Sequence, residues 1–355
     1  MKLIITKDQH WLDKWDAFVS HENKASHLLL SDWNKSFQSY GFEYEACLCV
    51  EGEEMIRGGY VAVIAKAAFF KFYIVPFGPI VAHGFEMKLD ELILTVQQRA
   101  KLFKCCYCHI ALPFSKIENP HTYSNFQEIP QLKTAHKGHL FKYVYSGYGI
   151  NWIDLKGFDE ESKIMTLKPS VRRNIRNSYR KDLSFKILTS ESEIESAYAL
   201  FAENAIAANY SIRDWNAMKD TLFSLNEKGY LKMLAAYKET ALKGAILLLK
   251  GGNYYTYILG GSKKEVPDLR TGDFLQWEAM KLALQEGLDG YNISLGGSKG
   301  VEEFKNSFNT VSIYFEEGHY HWIMRPQFFK VYLALQNYLK NHKKSIAKLL
   351  AKVKR

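Results

Sequence analysis

Lys305 lies on a segment that follows a glycine-rich loop, and that loop could take an anion. The stretch 289–310, DGYNISLGGSKGVEEFKNSFNT, places the lysine one helical turn or more beyond the run Gly296, Gly297, Ser298, Lys299 and Gly300. A strand over 291–295 that breaks at glycines and restarts as a helix exposes backbone N–H groups at the helix start, where negative charge is favoured. The loop has neither the phosphate-cradling pattern with Gly-Lys-Ser/Thr nor a full GxGxxG. Its glycines also suit a tight strand exit. Phe304 and Phe308, at i and i+4, also suit an ordinary core.

The densest cationic stretch is KPSVRRNIRNSYRK at 168–181. With Pro169 or Ser170 marking a helix start, Arg172, Arg176 and Arg180 share one face, and Arg173 lies beside it. Guanidinium forks match phosphate oxygens, so a face of them without nearby carboxylates suits a phosphate-bearing partner, nucleic acid included. A solvated surface is the plainer use of the same residues. Tyr255 and Tyr257 belong to a strand, YYTYILGG, in which one face could turn hydroxyls into a cleft and the other pack as an aromatic sheet. The sequence has no Ser/His/Asp set, no HExxH and no paired carboxylates at a telling spacing. Catalysis would therefore rest on positioning and charge stabilisation rather than on a covalent nucleophile.

The elements that must hold these groups follow from periodicity. Helices are expected over 8–20, 31–40 (with Ser31 or Asp32 as cap), 88–104, 158–181, 191–208, 214–228 and 273–286 (capped by Asp273), and strands over 45–50, 59–65, 71–75, 105–112, 141–145, 150–154, 185–188, 230–237, 243–250, 253–259 and 311–315. Both halves thus read as a helix pair, a strand meander, a helix and a strand. The repeat is one of architecture rather than of alignable sequence. The chain of 355 residues suits two domains, and 47% hydrophobic with 24% charged residues is a globular composition.

A net charge of +9 favours an anionic partner, whether nucleic acid, phosphorylated metabolite or membrane surface. No run reaches the length of a membrane span and the first residues are too short for a signal peptide, so a cytoplasmic location is expected. Five cysteines fit no secreted disulfide framework. Cys105, Cys106, Cys108 and His109 lie in KCCYCHIALP, which reads as a buried strand, and no second ligand pair has zinc-like spacing, so no metal is expected. Beyond Glu317 there is no acidic residue, nine basic ones and a helical apolar stripe. Such a tail suits either a helix on an anionic membrane surface or one packed on the body.

Five stretches in order, HLLLSDWNKSFQSYGFE, IVPFGPIV, LKPSVRRNIRNSYRK, FLQWEAMKLALQEGLDGYNISLGG and GVEEFKNSF, together resemble the Fem-type aminoacyltransferases of bacteria. The resemblance covers most of the chain. It implies an α+β fold of two GNAT-like acyltransferase domains, each a mixed sheet flanked by helices. The sequence has no room for the helical arm found in some members. The domains would be 1–153 and 154–317, with a C-terminal helix over 318–355 packing on the first. It implies transfer of an amino acid from aminoacyl-tRNA, a co-substrate rather than a cofactor, to the peptide of a UDP- or lipid-linked muropeptide; the composition of the basic tail would allow a peripheral contact with the inner membrane surface. Phe304 and Lys305 match the family's Phe-Lys pair, in which the lysine lies near the phosphates and the reacting carbonyl. Arg172, Arg173 and Arg176 match its basic helix. Pro76 and Gly78 belong to its cleft-lining turn, and Lys35 to a precursor-binding position. Gly297, Gly300, Tyr255 and Tyr257 complete the expected substrate contacts. Leu112 departs from the family, which often has an acid there. An acyl-CoA-dependent N-acyltransferase of the same fold is the alternative, although the usual CoA loop, Gln/Arg-x-x-Gly-x-Gly/Ala, is missing. A non-catalytic anion-binding module is a further one.

Overall fold

Two mixed sheets, built on one plan, make up the computed structural model, which describes residues 1–116, 119–123, 129–315 and 317–341. The first half runs β1 (Lys2–Thr6), α1 (Gln9–His21), α2 (Ser31–Lys35), β2 (Glu43–Glu51), β3 (Met55–Ala67), β4 (Phe70–Val75), β5 (Ile80–Val81), α3 (Lys88–Leu102), β6 (Tyr107–Ala111) and β7 (His136–Lys137). The second continues with β8 (Gly149–Asp154), α4 (Glu160–Thr166), α5 (Pro169–Tyr179), β9 (Leu183–Leu188), α6 (Glu191–Ala207), α7 (Trp215–Glu227), β10 (Leu231–Lys238), β11 (Ala241–Lys250) and β12 (Tyr254–Ser262). It ends with α8 (Thr271–Gln285), β13 (Gly290–Asn292), α9 (Lys299–Asn306), β14 (Val311–Tyr314), β15 (His319–Ile323) and α10 (Pro326–Asn341).

In the first sheet β1 to β4 form an antiparallel meander, β6 adds parallel to β4, and β15 adds antiparallel to β6. In the second, β9 to β12 form the meander, β13 adds parallel to β12, and β8 adds antiparallel to β13. The architectural repeat expected from the sequence is therefore present. The expected boundary after residue 153 falls within β8, which pairs wholly with the second sheet. The two units share a core: Trp15, Leu48 and Val61 of the first pack in one cluster with Leu231, Met233 and Leu247 of the second. Lys228, at the end of α7, ties the units by reaching Asp32 at 2.8 Å and Asp13 at 3.1 Å.

Several local expectations are corrected. Ser31 and Asp32 are not caps. The backbone of Leu30 occupies that position, Ser31 donates to the buried Asp16 at 2.6 Å, and Asp32 accepts from Ser224 at 2.8 Å. The helix over 31–40 turns 3-10 at Ser36 and stops at Gly41, whose φ of 73° is left-handed. Residues 158–181 form two helices because Pro169 lacks the N–H that would continue the first; it opens α5 instead. The strand expected over 141–145 is irregular chain whose apolar residues pack rather than pair, with Phe141 stacked on Phe72 at 4.3 Å. Asp273 is not the cap of α8, which starts two residues earlier at Thr271. Asp273 is buried in its first turn and accepts from Asn174 at 3.3 Å. The stretch 318–325 is not helix: His319–Ile323 is a strand, and α10 begins at Pro326 and packs Phe329 and Tyr332 on the first sheet. The expected basic end of that helix, 342–355, lies outside the described residues.

One buried ion pair anchors the first unit. Glu45, only 3% exposed, accepts from Arg99 Nε at 2.8 Å and Nη2 at 2.6 Å and from the Tyr73 hydroxyl at 2.8 Å. Arg99→Ala would strand that carboxylate in the core at a cost of about 3–5 kcal/mol. Arg99→Lys would recover only part of it, since an ammonium cannot bind both oxygens as a fork. Urea unfolding measures this, and an Arg99→Ala loss below about 1 kcal/mol would show that the pair does not anchor the fold.

Candidate active site

The two parallel strand pairs occupy equivalent places but end differently. In the first sheet, the chain leaving β4 turns at Pro76, Phe77 and Gly78, and the Gly78 N–H donates to Ala111 O at 2.7 Å, closing the gap beside β6. In the second, β13 stays paired with β12 only as far as Thr256 and Asn292. Beyond that point β12 continues to Ser262 and, among the described residues, has β11 as its one strand partner, while the Ser262 N–H reaches Asn204 of α6 at 3.4 Å. A strand left with one open edge presents unpaired backbone groups, and a ligand that supplies their partners satisfies them. This notch is where the candidate site lies.

The loop leaving β13 forms its wall. Asn292 Oδ1 accepts from the backbone N–H groups of Asn151 at 2.9 Å and Ser294 at 3.0 Å, which fixes the strand end. Ser294 takes a left-handed φ of 66° and donates through its hydroxyl to the Tyr257 carbonyl, bridging the mouth of the notch. Gly297 has φ 130°, and a side chain there would strike Val301 Cγ1 at 2.7 Å, so the loop needs glycine for both reasons. Gly300 meets nothing within 4 Å and lies in α9.

α9 then returns Lys305 to the loop. Its side chain is buried, its ammonium donates to Gly296 O at 2.9 Å, and it stands 5.8 Å from the Tyr257 ring. Burial pushes its pKa down to about 8, with Glu302 acting weakly the other way. No carboxylate pairs with it among the described residues, so it is a desolvated cation free to meet a developing negative charge. Phe304, one residue before, packs on Phe308 at 5.3 Å and faces Gly272 at the start of α8. It is a wall and a spacer rather than a reactive group.

The basic helix flanks the same region. α5 buries Val171, Ile175 and Ser178 and turns Arg173 and Arg176 to solvent, with Arg172 half-buried. Asn174 touches Asp273 in α8, and Asn309 just after α9 reaches Thr166 just before α5 at 3.5 Å. α5, α8 and α9 therefore neighbour one another. Arg172 donates only to Met165 Sδ, at 3.2 Å, and none of Arg172, Arg173 and Arg176 has a carboxylate partner among the described residues.

The remaining expected residues fall into three places. Tyr257 is at the notch, whereas the Tyr255 hydroxyl donates to Glu286 at 2.6 Å on the helical side, away from Lys305. A narrow cleft between the units is lined by Phe77 from the turn that contains Pro76 and Gly78, by His27, and by Thr256, Asn292, Ser294 and Leu295. Of that turn it is the Phe77 side chain that meets the cleft. Pro76 accepts from the Gly147 N–H at 3.0 Å. Lys35 is exposed in a separate polar groove, which Asp32, Ser36, Asn216, Asp220 and Ser224 also line. Leu112 is fully buried in the first unit's core. Sequence reasoning missed His27, a buried imidazole whose pKa burial pushes down to about 3 and which is therefore neutral. Its only sequence signal was its place at the head of HLLLSDW. Also missed were Asn292 and Ser294, which look like ordinary strand and turn residues until the β12–β13 notch is seen.

Residues 168–306 match the family described as acetyltransferase (GNAT) domain. No curated protein matches the sequence. Among solved structures, the chain is similar to FemX, with 13% identity, a TM-score of 0.75, and coverage of 93% of this chain and 99% of that one. It is similar to the C-terminal domain (DUF2156) of a putative lysylphosphatidylglycerol synthetase from Agrobacterium fabrum, with 11% identity, a TM-score of 0.53, and coverage of 88% and 91%. It is also similar to L-PGS from Bacillus licheniformis, with 10% identity, a TM-score of 0.54, and coverage of 94% and 96%. The chain has a GNAT-like double-domain fold of two mixed sheets flanked by helices, with no long helical arm among the described residues, and the notch lies within the matched residues 168–306. Among the described residues, no helix is long and apolar enough to cross a membrane.

Proposed function

We propose that this protein is an aminoacyltransferase that moves an amino acid from aminoacyl-tRNA to an amine in the peptide of a peptidoglycan precursor, UDP- or lipid-linked. The observation that carries this reading is the buried Lys305 ammonium, which has no carboxylate partner among the described residues, beside an open strand edge. In such a reaction the acceptor nitrogen attacks the ester carbonyl. The C–N bond forms as the C–O bond to the tRNA ribose breaks, the nitrogen loses a proton and the ribose oxygen gains one. The charge that must be stabilised is the carbonyl oxygen's, and a preorganised desolvated cation suits it without any enzyme nucleophile. The unpaired arginines of α5 suit the phosphates of a nucleic acid or precursor. The fold shared with FemX, and with the C-terminal domain of a putative lysylphosphatidylglycerol synthetase, supports an aminoacyl donor.

A second reading rests on the GNAT match and on the notch itself, whose open backbone edge would equally suit the amide arm of an acyl-CoA. The two separate in one assay. The protein is offered tRNA charged with labelled amino acid together with UDP- or lipid-linked muropeptide, and separately acetyl-CoA with the same acceptors. Labelled muropeptide is the expected product. CoA release with no transfer from tRNA would replace the first reading with the second, and absence of both would overturn acyl transfer to these acceptors.

A further inference from the structure

We propose that His109, His139 and His319 form a binding site for a divalent transition-metal ion of the zinc class. The three residues come from β6, from the chain after β7 and from β15, and a ligand nitrogen of each lies within 4.8 Å of the others. The register explains why they meet. β6 and β15 pair antiparallel with His109 opposite His321 and Ala111 opposite His319, so His109 and His319 share one face of the sheet, diagonal to each other. Gly138 accepts from His321 Nδ1 at 2.9 Å and donates its N–H to the His319 carbonyl at 2.9 Å, which holds the following residue, His139, over that face. The His139 ring stacks on His109 at 4.3 Å.

Two features separate this cluster from a packed aromatic group. His109 is completely buried, and among the described residues its Nδ1 has no hydrogen-bond partner; the Nε2 of His139 is likewise buried and without a partner among them. Buried polar atoms are almost always paired, and the orphaned His139 Nε2, beside the His109 Nε2 and His319 Nδ1 pair, points to a missing partner. Neutral imidazole nitrogens offer lone pairs, and among the described residues the groups that affect the charge of His109 and His319 are other histidines. Three neutral imidazoles make a donor set for zinc-class ions and leave a fourth position open. His139 and His319 are partly exposed, so an ion has a way in.

Binding requires one local change. His109 Nε2 and His319 Nδ1 lie 3.0 Å apart and share one hydrogen bond, a distance that must open to about 3.4 Å around a tetrahedral ion with Zn–N bonds near 2.1 Å. His139 must at the same time tilt out of its stack. All three rings are neutral before and after, so the imidazoles only change tautomer. The ion would pin the last strand of the first sheet to its neighbour and to the chain after β7. This site stands apart from the acyl-transfer notch, and the proposal does not depend on that function.

The test is titration of chelator-treated protein without a polyhistidine tag, with zinc chloride followed by calorimetry and by thermal unfolding. Wild type is expected to take about one ion per chain with a Kd in the micromolar range or tighter, and its melting midpoint to rise by a few degrees in excess zinc. His139→Ala and His319→Ala, which leave the buried His109 in place, are each expected to weaken binding by about tenfold or more, and the double variant to lose the thermal shift. No binding below about 100 μM in wild type, or equal binding in the double variant, would overturn the proposal.

Discussion

Lys305→Ala lowers turnover by about 10²–10³-fold while the KM for the acceptor changes by less than about threefold. Removing one preorganised oxyanion donor typically has an effect of this size on kcat. An interaction made mainly in the transition state leaves ground-state binding alone. The pH profile tells which form of the lysine acts. Burial sets its pKa near 8, so a cationic role makes kcat/KM fall as pH rises through about 8, and a general-base role makes it rise through the same range. The cationic direction is expected. Lys305→Arg should not restore the wild-type rate, because the site is closed around a single ammonium that donates to Gly296 O, and a guanidinium is longer and planar. Wild-type turnover in Lys305→Ala would remove this residue from the mechanism and leave the notch as a binding feature only.

Charge reversal of the basic helix has the next largest effect. The double variant Arg173→Glu with Arg176→Glu is expected to raise the KM for charged tRNA by about 10–100-fold at moderate salt, and to make the logarithmic salt dependence of binding shallower by about 1–2. Both side chains are exposed and the helix packs through Val171, Ile175 and Ser178, so the variant should unfold at the same urea concentration as wild type. Its kcat at saturating donor should change little, which distinguishes it from the Lys305 variant. An unchanged KM together with an unchanged salt slope would show that the arginines are only a solvated surface.

Much of the fold was legible because its elements carry strong local signals. The meanders of apolar strands, the amphipathic α3 and the proline-started α5 all follow from spacing and from a single special residue. What misled was local chemistry put to a tertiary use. Ser31 and Asp32 have the composition of a helix cap, yet a buried aspartate and the far unit's Ser224 claim their hydrogen bonds. The strand β15 was read as helix because a short polar-aromatic stretch has no clear period by itself; its strand character comes from its pairing with β6. The chain at 141–145 shows the opposite case, since its apolar residues found aromatic partners before any strand edge.

The site divides the same way. The glycines of the 296–300 loop, the helix that carries Lys305 and the unpaired arginines of α5 could be named from the sequence, because glycine-rich turns and carboxylate-free basic faces are properties of adjacent residues. Tyr255 and Tyr257 could not be told apart there, since they share a strand face. Only the strand's position against α8 gives one to Glu286 and the other to the lysine. The same holds for the depressed lysine pKa, for the closing of one parallel pair by Gly78 while the other stays open, and for three histidines spaced 30 and 180 residues apart in the chain meeting on one sheet face. By itself the sequence determined which groups were available and the local turns that present them. Burial, edge pairing and the meeting of distant strands depend on where the rest of the chain lies, and only the tertiary structure decided those.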